Sequence, residues 1–332
     1  MWMIWGTAEQ NAFGRCCQPA VCGSKEYEQL NRQEKERLSE TGHTMLLLLA
    51  SLIWGAAFVA QSVGAEYVGA YTFLAGRSWI AVAFLLPVGL IHEKRKNDRE
   101  GQKSREERKP QRRMLVISSL ICGIFLFAAS AAQQVGIAYT TTAKSGFLTA
   151  MYVVIVPILS VFLGHRPGWK LWLCIAMSVM GLYLLCIQGK VAISFGDGIT
   201  LLSALLFSFQ IMTINHFAPK VSGIWLSLGQ FLVEAVLSTV FMLMIEHPVL
   251  SNLRAAGIAI LYAGVMSSGV GYTLQIIGQR KLKPSVASIA MCMESVFSAL
   301  AGWVILHQTL TPREIAGCAM MFTAIILSQI LV

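Results

Sequence analysis

Glu294 lies about halfway along an apolar run, in the segment MCMESVFSALAGW. A carboxyl group in such surroundings is costly unless it is paired or hydrated, so it needs a reason to be there. It can take up and release a proton, or face a cationic group on a substrate. The plainer alternative is a protonated Glu hydrogen-bonded to a neighbouring helix. Arg77 is equally central in another apolar run and cannot be neutralised. Glu234 occupies a third run, and a buried or water-linked Arg77–Glu234 pair with a structural role is the expectation. Lys144 stands at the start of a fourth run, where it either snorkels to headgroups or meets a substrate carboxylate. Gln133 and Gln275 each precede a Gly by three residues. An amide in a bilayer interior bonds across helices by default, and lining a polar cavity is the functional alternative. Trp54, in LIWGAAF, reads as a packed or interfacial aromatic or as a cavity wall.

These residues are carried by apolar segments of membrane-spanning length. Hydrophobic residues make up 55% of the 332 residues and charged residues 13%. Soluble chains carry about 25% charge, so the chain belongs in a bilayer. A span needs about 20 apolar residues. Ten segments qualify, at approximately 45–63, 70–91, 114–138, 143–164, 169–188, 199–215, 222–245, 255–277, 284–306 and 314–332. Pro157 should kink the fourth. Between the second and third lies the hydrophilic loop 93–113, with ten Lys or Arg and five Asp or Glu. Translocating such a loop is costly, so it stays cytoplasmic and sets the direction of every other span. Both termini then lie inside, as do Arg166, Lys170, Lys220, Arg280, Lys281 and Lys283. The outside connections keep only Lys190, Arg254 and Arg313. The net charge of +9 therefore reads as orientation, with no nucleic-acid partner.

The ten spans form two copies of five. An offset of 153 lays LIWGAAF over LLFSFQI and Arg77 over Gln230. An offset of 142 lays Gln133 on Gln275, Gly136 on Gly278, Met151 on Met293 and Tyr152 on Glu294. Five is odd, so the second copy enters the membrane inverted. Inverted repeats are typical of secondary transporters, which hold substrate near the midplane between the copies. The fold class expected is an all-α integral membrane protein of ten helices in two inverted repeats. The divisions are a polar cytoplasmic tail at 1–42, a first repeat at 43–189 and a second at 190–332. The tail reads as a mobile or amphipathic segment, or as an extension upstream of a working start near Met45.

Other chemistries lack their residues. Cys122, Cys174, Cys186, Cys292 and Cys318 lie in apolar stretches, where a small polarisable side chain packs well. Cys16, Cys17 and Cys22 have no partners for a tetrahedral metal site, and the His residues are not spaced as ligands. No Gly-Lys-Ser/Thr phosphate loop, H-E-x-x-H or G-x-S-x-G occurs. No enzyme activity, metal or cofactor is expected, and coupling to a proton or other ion gradient stays open.

The segment TTTAKSGFLTAMYVVIVPILSVFLGHRP resembles the fourth-span pattern of the EamA-like transporters of the drug/metabolite transporter superfamily. SIAMCMESVFSALAGWVILHQTLT is similar to their ninth-span pattern, in which a Glu opens a Glu-Pro-Val-Phe-like run. Glu294 matches that Glu, and Ser295 departs from the common Pro. Trp54-Gly55 matches a first-span signature. His165 and Gln308 stand where many members carry a Glu. The resemblance covers residues 44 to 332 and implies an inner-membrane carrier, commonly an exporter of amino acids or other small metabolites. The expected partners are a small-molecule substrate and the lipid bilayer, with a homodimer left open. Glu294 is the first candidate for coupling or substrate contact, and Gln133, Gln275, Tyr152 and Trp54 are candidates for the cavity wall. The rivals are a lipid-acting membrane enzyme and a regulatory protein working through its basic loop.

Overall fold

The computed structural model describes residues 24–100, 105–139, 142–164, 167–187, 194–306 and 311–331. Every regular element among them is helical. Ten helical stretches are long and apolar enough to cross a bilayer: Ser39–Tyr67, Ala70–Asp98, Pro110–Ile137, Ser145–Phe162, Trp169–Cys186, Phe195–Phe217, Gly223–Ile245, Gly257–Gln279, Pro284–Ala301 and Pro312–Leu331. They are called spans one to ten below. In lipid a backbone must satisfy its own polar groups, and a helix does so within one segment. Large apolar side chains such as Ile258, Phe162 and Met244 remain exposed, as a lipid-facing surface requires. Residues 43–332 form one compact unit and residues 1–42 another. Cys16, Cys17 and Cys22 lie outside the described residues, as do His165 and Gln308.

The hydrophilic stretch 93–113 is more helical than a loop. The second span belongs to a helix that continues to Glu100, and the third to one that begins at Arg105. Lys, Arg, Glu and Gln are strong helix formers. Lys94 with Asp98 stands at the four-residue spacing that adds support.

The packing obeys the repeat. Spans two and seven, four and nine, and five and ten pack against each other as equivalent partners. Span three lies against spans six and seven, span two against span eight, and span four against span six. Span one meets spans eight and nine at Gly278–Leu47, Gly271–Trp54 and Gly55–Phe297. Exchanging one for six, two for seven and so on maps this set of contacts onto itself.

Two of these contacts depend on missing side chains. A Cβ on Gly55 would come 2.7 Å from the backbone carbon of Phe297. Between spans five and ten, a Cβ on Gly317 would come 2.7 Å from the Gly181 carbonyl oxygen. Backbone cannot yield as a flexible side chain can. Gly317→Ala should therefore cost about 1–3 kcal/mol through overpacking, lowering the melting temperature of the solubilised protein. Unchanged melting would mean that the two helices are free to separate.

Spans four and nine are both discontinuous. The fourth divides into Thr142–Thr149 and Tyr152–Phe162, the ninth into Pro284–Met291 and Glu294–Leu306. The interruptions at 150–151 and 292–293 are related by the same offset of 142. At each, the ladder tightens to three-residue bonds, such as Val153 N–H to Ala150 O at 3.0 Å and Ser295 N–H to Cys292 O at 3.3 Å. Pro157 was expected to kink the fourth span. It lies inside the second half-helix, beyond the interruption, and the ninth span breaks with no proline at the equivalent place. A small residue followed by Met stands at both, Ala150-Met151 and Cys292-Met293.

Candidate functional site

The two half-helix starts meet. Tyr152 and Glu294 each open the second half of a broken span, and the Tyr152 hydroxyl donates to Glu294 Oε1 at 3.1 Å. Two residues related by the repeat offset thus touch across the boundary between the repeats. Glu294 stands in the first turn of its half-helix, where the helix dipole favours an anion. Ser51 Oγ of span one lies 2.9 Å from Leu47 O of its own helix, and 3.0 Å from Ala290 O and 3.2 Å from Met291 O beside the interruption.

A cavity of about 50 Å³ opens onto this pair. By that measure it holds a few waters, too little for an amino-acid-sized solute. Its wall is assembled from repeat-related residues: Trp54 with Phe207, Phe58 with Ile211, Gln133 with Gln275, Thr149 with Met291, and Tyr152 with Glu294. Spans one, three, four, six, eight and nine all contribute, and Arg77 enters from span two. Gln133 Nε2 donates to Thr149 Oγ1 at 3.3 Å, and Gln275 Nε2 to Gln210 Oε1 at 3.4 Å. Gln275 Oε1 and Gln210 Nε2 are buried without a hydrogen-bond partner, so each has capacity for a ligand. Trp54 packs on Tyr272 with ring centroids 4.9 Å apart, and its indole N–H donates to Ser267 O at 3.3 Å.

That carbonyl belongs to an unusual stretch. Ala263–Gly271 of span eight is wound as a π-helix, a local form that recurs at functional sites. The repeat-equivalent residues 121–129 are ordinary α-helix. The run of small residues at 267–271 lies within this π-wound stretch beside the cavity, while its counterpart at 125–129 stays α-helical.

Arg77 and Glu234 form a buried ion pair. Arg77 Nη2 lies 3.0 Å from Glu234 Oε1, with side chains 4% and 0% exposed. The same nitrogen donates to Ser130 Oγ at 3.0 Å. Arg77 Nε and Glu234 Oε2 make no hydrogen bond. Spans two and seven are tied at two further levels. Trp79 donates to Thr239 Oγ1 at 3.0 Å, and the Glu246 carboxylate accepts from Tyr71 N–H, Thr72 N–H and Thr72 Oγ1 at 2.6–2.9 Å. Lys144 is placed only as a helical backbone position in Thr142–Thr149; its side chain lies outside the described residues.

Ser51, Gln210 and Tyr272 were not singled out from the sequence. Ser51 and Gln210 have alanines as repeat mates, so the offset carries no signal for them. Tyr272 is the mate of Ser130, and that pairing was readable.

The EamA-like transporter family model matches residues 43–187 and again 194–329. The chain belongs to this family. Two matches, one to each half, follow the twofold repetition of the packing. Similar proteins include an uncharacterized transporter of Archaeoglobus fulgidus, 27% identical over 286 residues, which span 85% of this chain and 83% of that one. The uncharacterized transporter YoaV of Bacillus subtilis is 22% identical over 291 residues, 85% of this chain and 94% of its own. A solved crystal structure superposes with a TM-score of 0.71 at 18% identity, covering 88% of this chain and 97% of the other, a likeness of fold. The protein is a multi-pass membrane transporter.

Proposed function

We propose that this EamA-family transporter is a secondary-active carrier exporting a small zwitterionic or polar metabolite, such as an amino acid, by alternating access. The carrying observation is the Tyr152–Glu294 contact, where two broken spans from opposite repeats meet at a polar cavity. Discontinuous helices that meet between inverted repeats are where such carriers hold substrate and coupling ions. Glu294 would receive a proton or a substrate ammonium. Arg77, with Nε unpaired at the cavity wall, would receive a carboxylate. The aromatic side chains of Trp54, Phe58, Phe207 and Tyr272 would enclose the apolar part. Because the cavity is small, admitting a solute requires the repeats to rock apart on one side.

The charge distribution supports an inside position for both termini and for residues 93–113, in a cell membrane. A cysteine introduced at Gln102 should then react with membrane-permeant but not impermeant maleimide in intact cells; labelling by both would reverse the topology. The function itself is tested by comparing metabolites in medium and cytosol of cells with and without the overexpressed protein. Accumulation of one solute class outside supports export. Depletion from the medium would turn the reading to import.

A further inference from the structure

We propose that a basic cleft between spans two, three, seven and eight binds the phosphate headgroup of an acidic phospholipid. The cleft has a volume of about 800 Å³. Its polar wall holds Lys96, Arg112, Lys220 and Arg280, with Glu93 the carboxylate among the described lining residues. These cations come from four separate places in the chain: the ends of the two extended helices, the turn after span six, and the end of span eight. They converge only through the fold.

Two of them are held in place. Arg280 Nε donates to Ala218 O at 2.9 Å and Nη2 to Val221 O at 2.7 Å. This leaves Nη1 for an outside acceptor. Lys220 Nζ lies 2.7 Å from His216 Nε2 and 5.7 Å above the Phe217 ring. Lys96 and Arg112 are exposed and free to close over a bound group. The rest of the lining combines the apolar Leu90, Leu115, Val221, Ile224, Trp225 and Ile277 with the uncharged polar His92, Asn97, Gln111 and Ser222. A phospholipid brings both halves of this complement, a phosphate for the cations and acyl chains for the apolar side, whereas a soluble anion has no use for the second. Basic pockets between transmembrane helices at the cytoplasmic level take acidic headgroups for this reason. The site is separate from the central cavity, sharing no lining residue with it. Its assignment to the inner leaflet rests on the topology proposed above.

The test is lipid binding by native mass spectrometry of the purified protein, with no transport readout. Phosphatidylglycerol and phosphatidylcholine of identical acyl chains are titrated separately, and inorganic phosphate is added as a competitor. The wild type should prefer phosphatidylglycerol about tenfold. Lys96→Gln/Arg112→Gln/Lys220→Gln, three exposed positions, should abolish that preference. The control Lys94→Gln/Arg95→Gln/Arg113→Gln removes the same charge from exposed neighbours outside the cleft and should keep it. Equal loss in both triples would reduce the effect to general loop charge and overturn the site. No lipid preference in the wild type would overturn it too. Retention of phosphate without lipid discrimination would make it a soluble-anion site and overturn the phospholipid assignment.

Discussion

Glu294→Gln should reduce transport by roughly 10- to 100-fold with little change in membrane abundance. The amide has the size of the carboxyl and still accepts the Tyr152 hydrogen bond, so the fold keeps its contact at the broken helix. It can neither ionise nor pair with a cation. A hydrogen bond to a charged group is worth about 1.5–3 kcal/mol, and 1.4 kcal/mol is tenfold. The measurement is solute efflux from cells or proteoliposomes at matched protein amounts. Tyr152→Phe removes the hydroxyl and leaves the carboxyl, so its loss should be smaller, tenfold or less. Wild-type flux in Glu294→Gln would remove Glu294 from the transport step and leave it a helix-breaking structural contact.

Arg77 and Glu234 lead to the second large effect. Truncating one partner of a buried ion pair leaves an uncompensated charge, at a cost of about 3–5 kcal/mol. Arg77→Met and Glu234→Leu singly should each lower the melting temperature of the solubilised protein sharply. The double substitution removes both charges and should recover most of that loss, since apolar replacement of a buried pair is often neutral. Transport by the double variant should stay at least tenfold below wild type, because the cavity wall loses the permanent cation that Arg77 supplies. Full transport together with recovered stability would make the pair a structural tie between spans two and seven alone. The ties at Trp79–Thr239 and at Glu246 should hold those two helices together in every variant.

Much of this arrangement is written in one dimension. Ten apolar runs of sufficient length each force a helix, because lipid offers the backbone no other partner. Loop charge points to an orientation for the same kind of reason, the cost of moving cations across hydrocarbon. The repeat offsets reach further. They pair Tyr152 with Glu294, Gln133 with Gln275 and Trp54 with Phe207, and all six line one cavity. Residues on a twofold-related pair of helices must approach each other near the axis, so internal symmetry converts sequence offset into proximity.

Other features depended on packing. The interruptions of spans four and nine carry no shared breaker, and Pro157 lies inside the second half of the fourth span, beyond its interruption. Ser51 lies beside the carbonyls at the ninth-span interruption, and a sequence does not state which hydroxyl will lie beside which carbonyl. The π-wound stretch of span eight looks like any other run of small residues. Gln210 joined Gln275 without a repeat mate to announce it. The gathering of Lys96, Arg112, Lys220 and Arg280 around one cleft likewise arises only once the extended helices and the turn after span six are brought to one level. Apolar length, loop charge and internal repetition are sums over many residues, so the linear chain determines them. Hydrogen-bond partners and converging charges depend on single side-chain positions, and only the packed helices decide those.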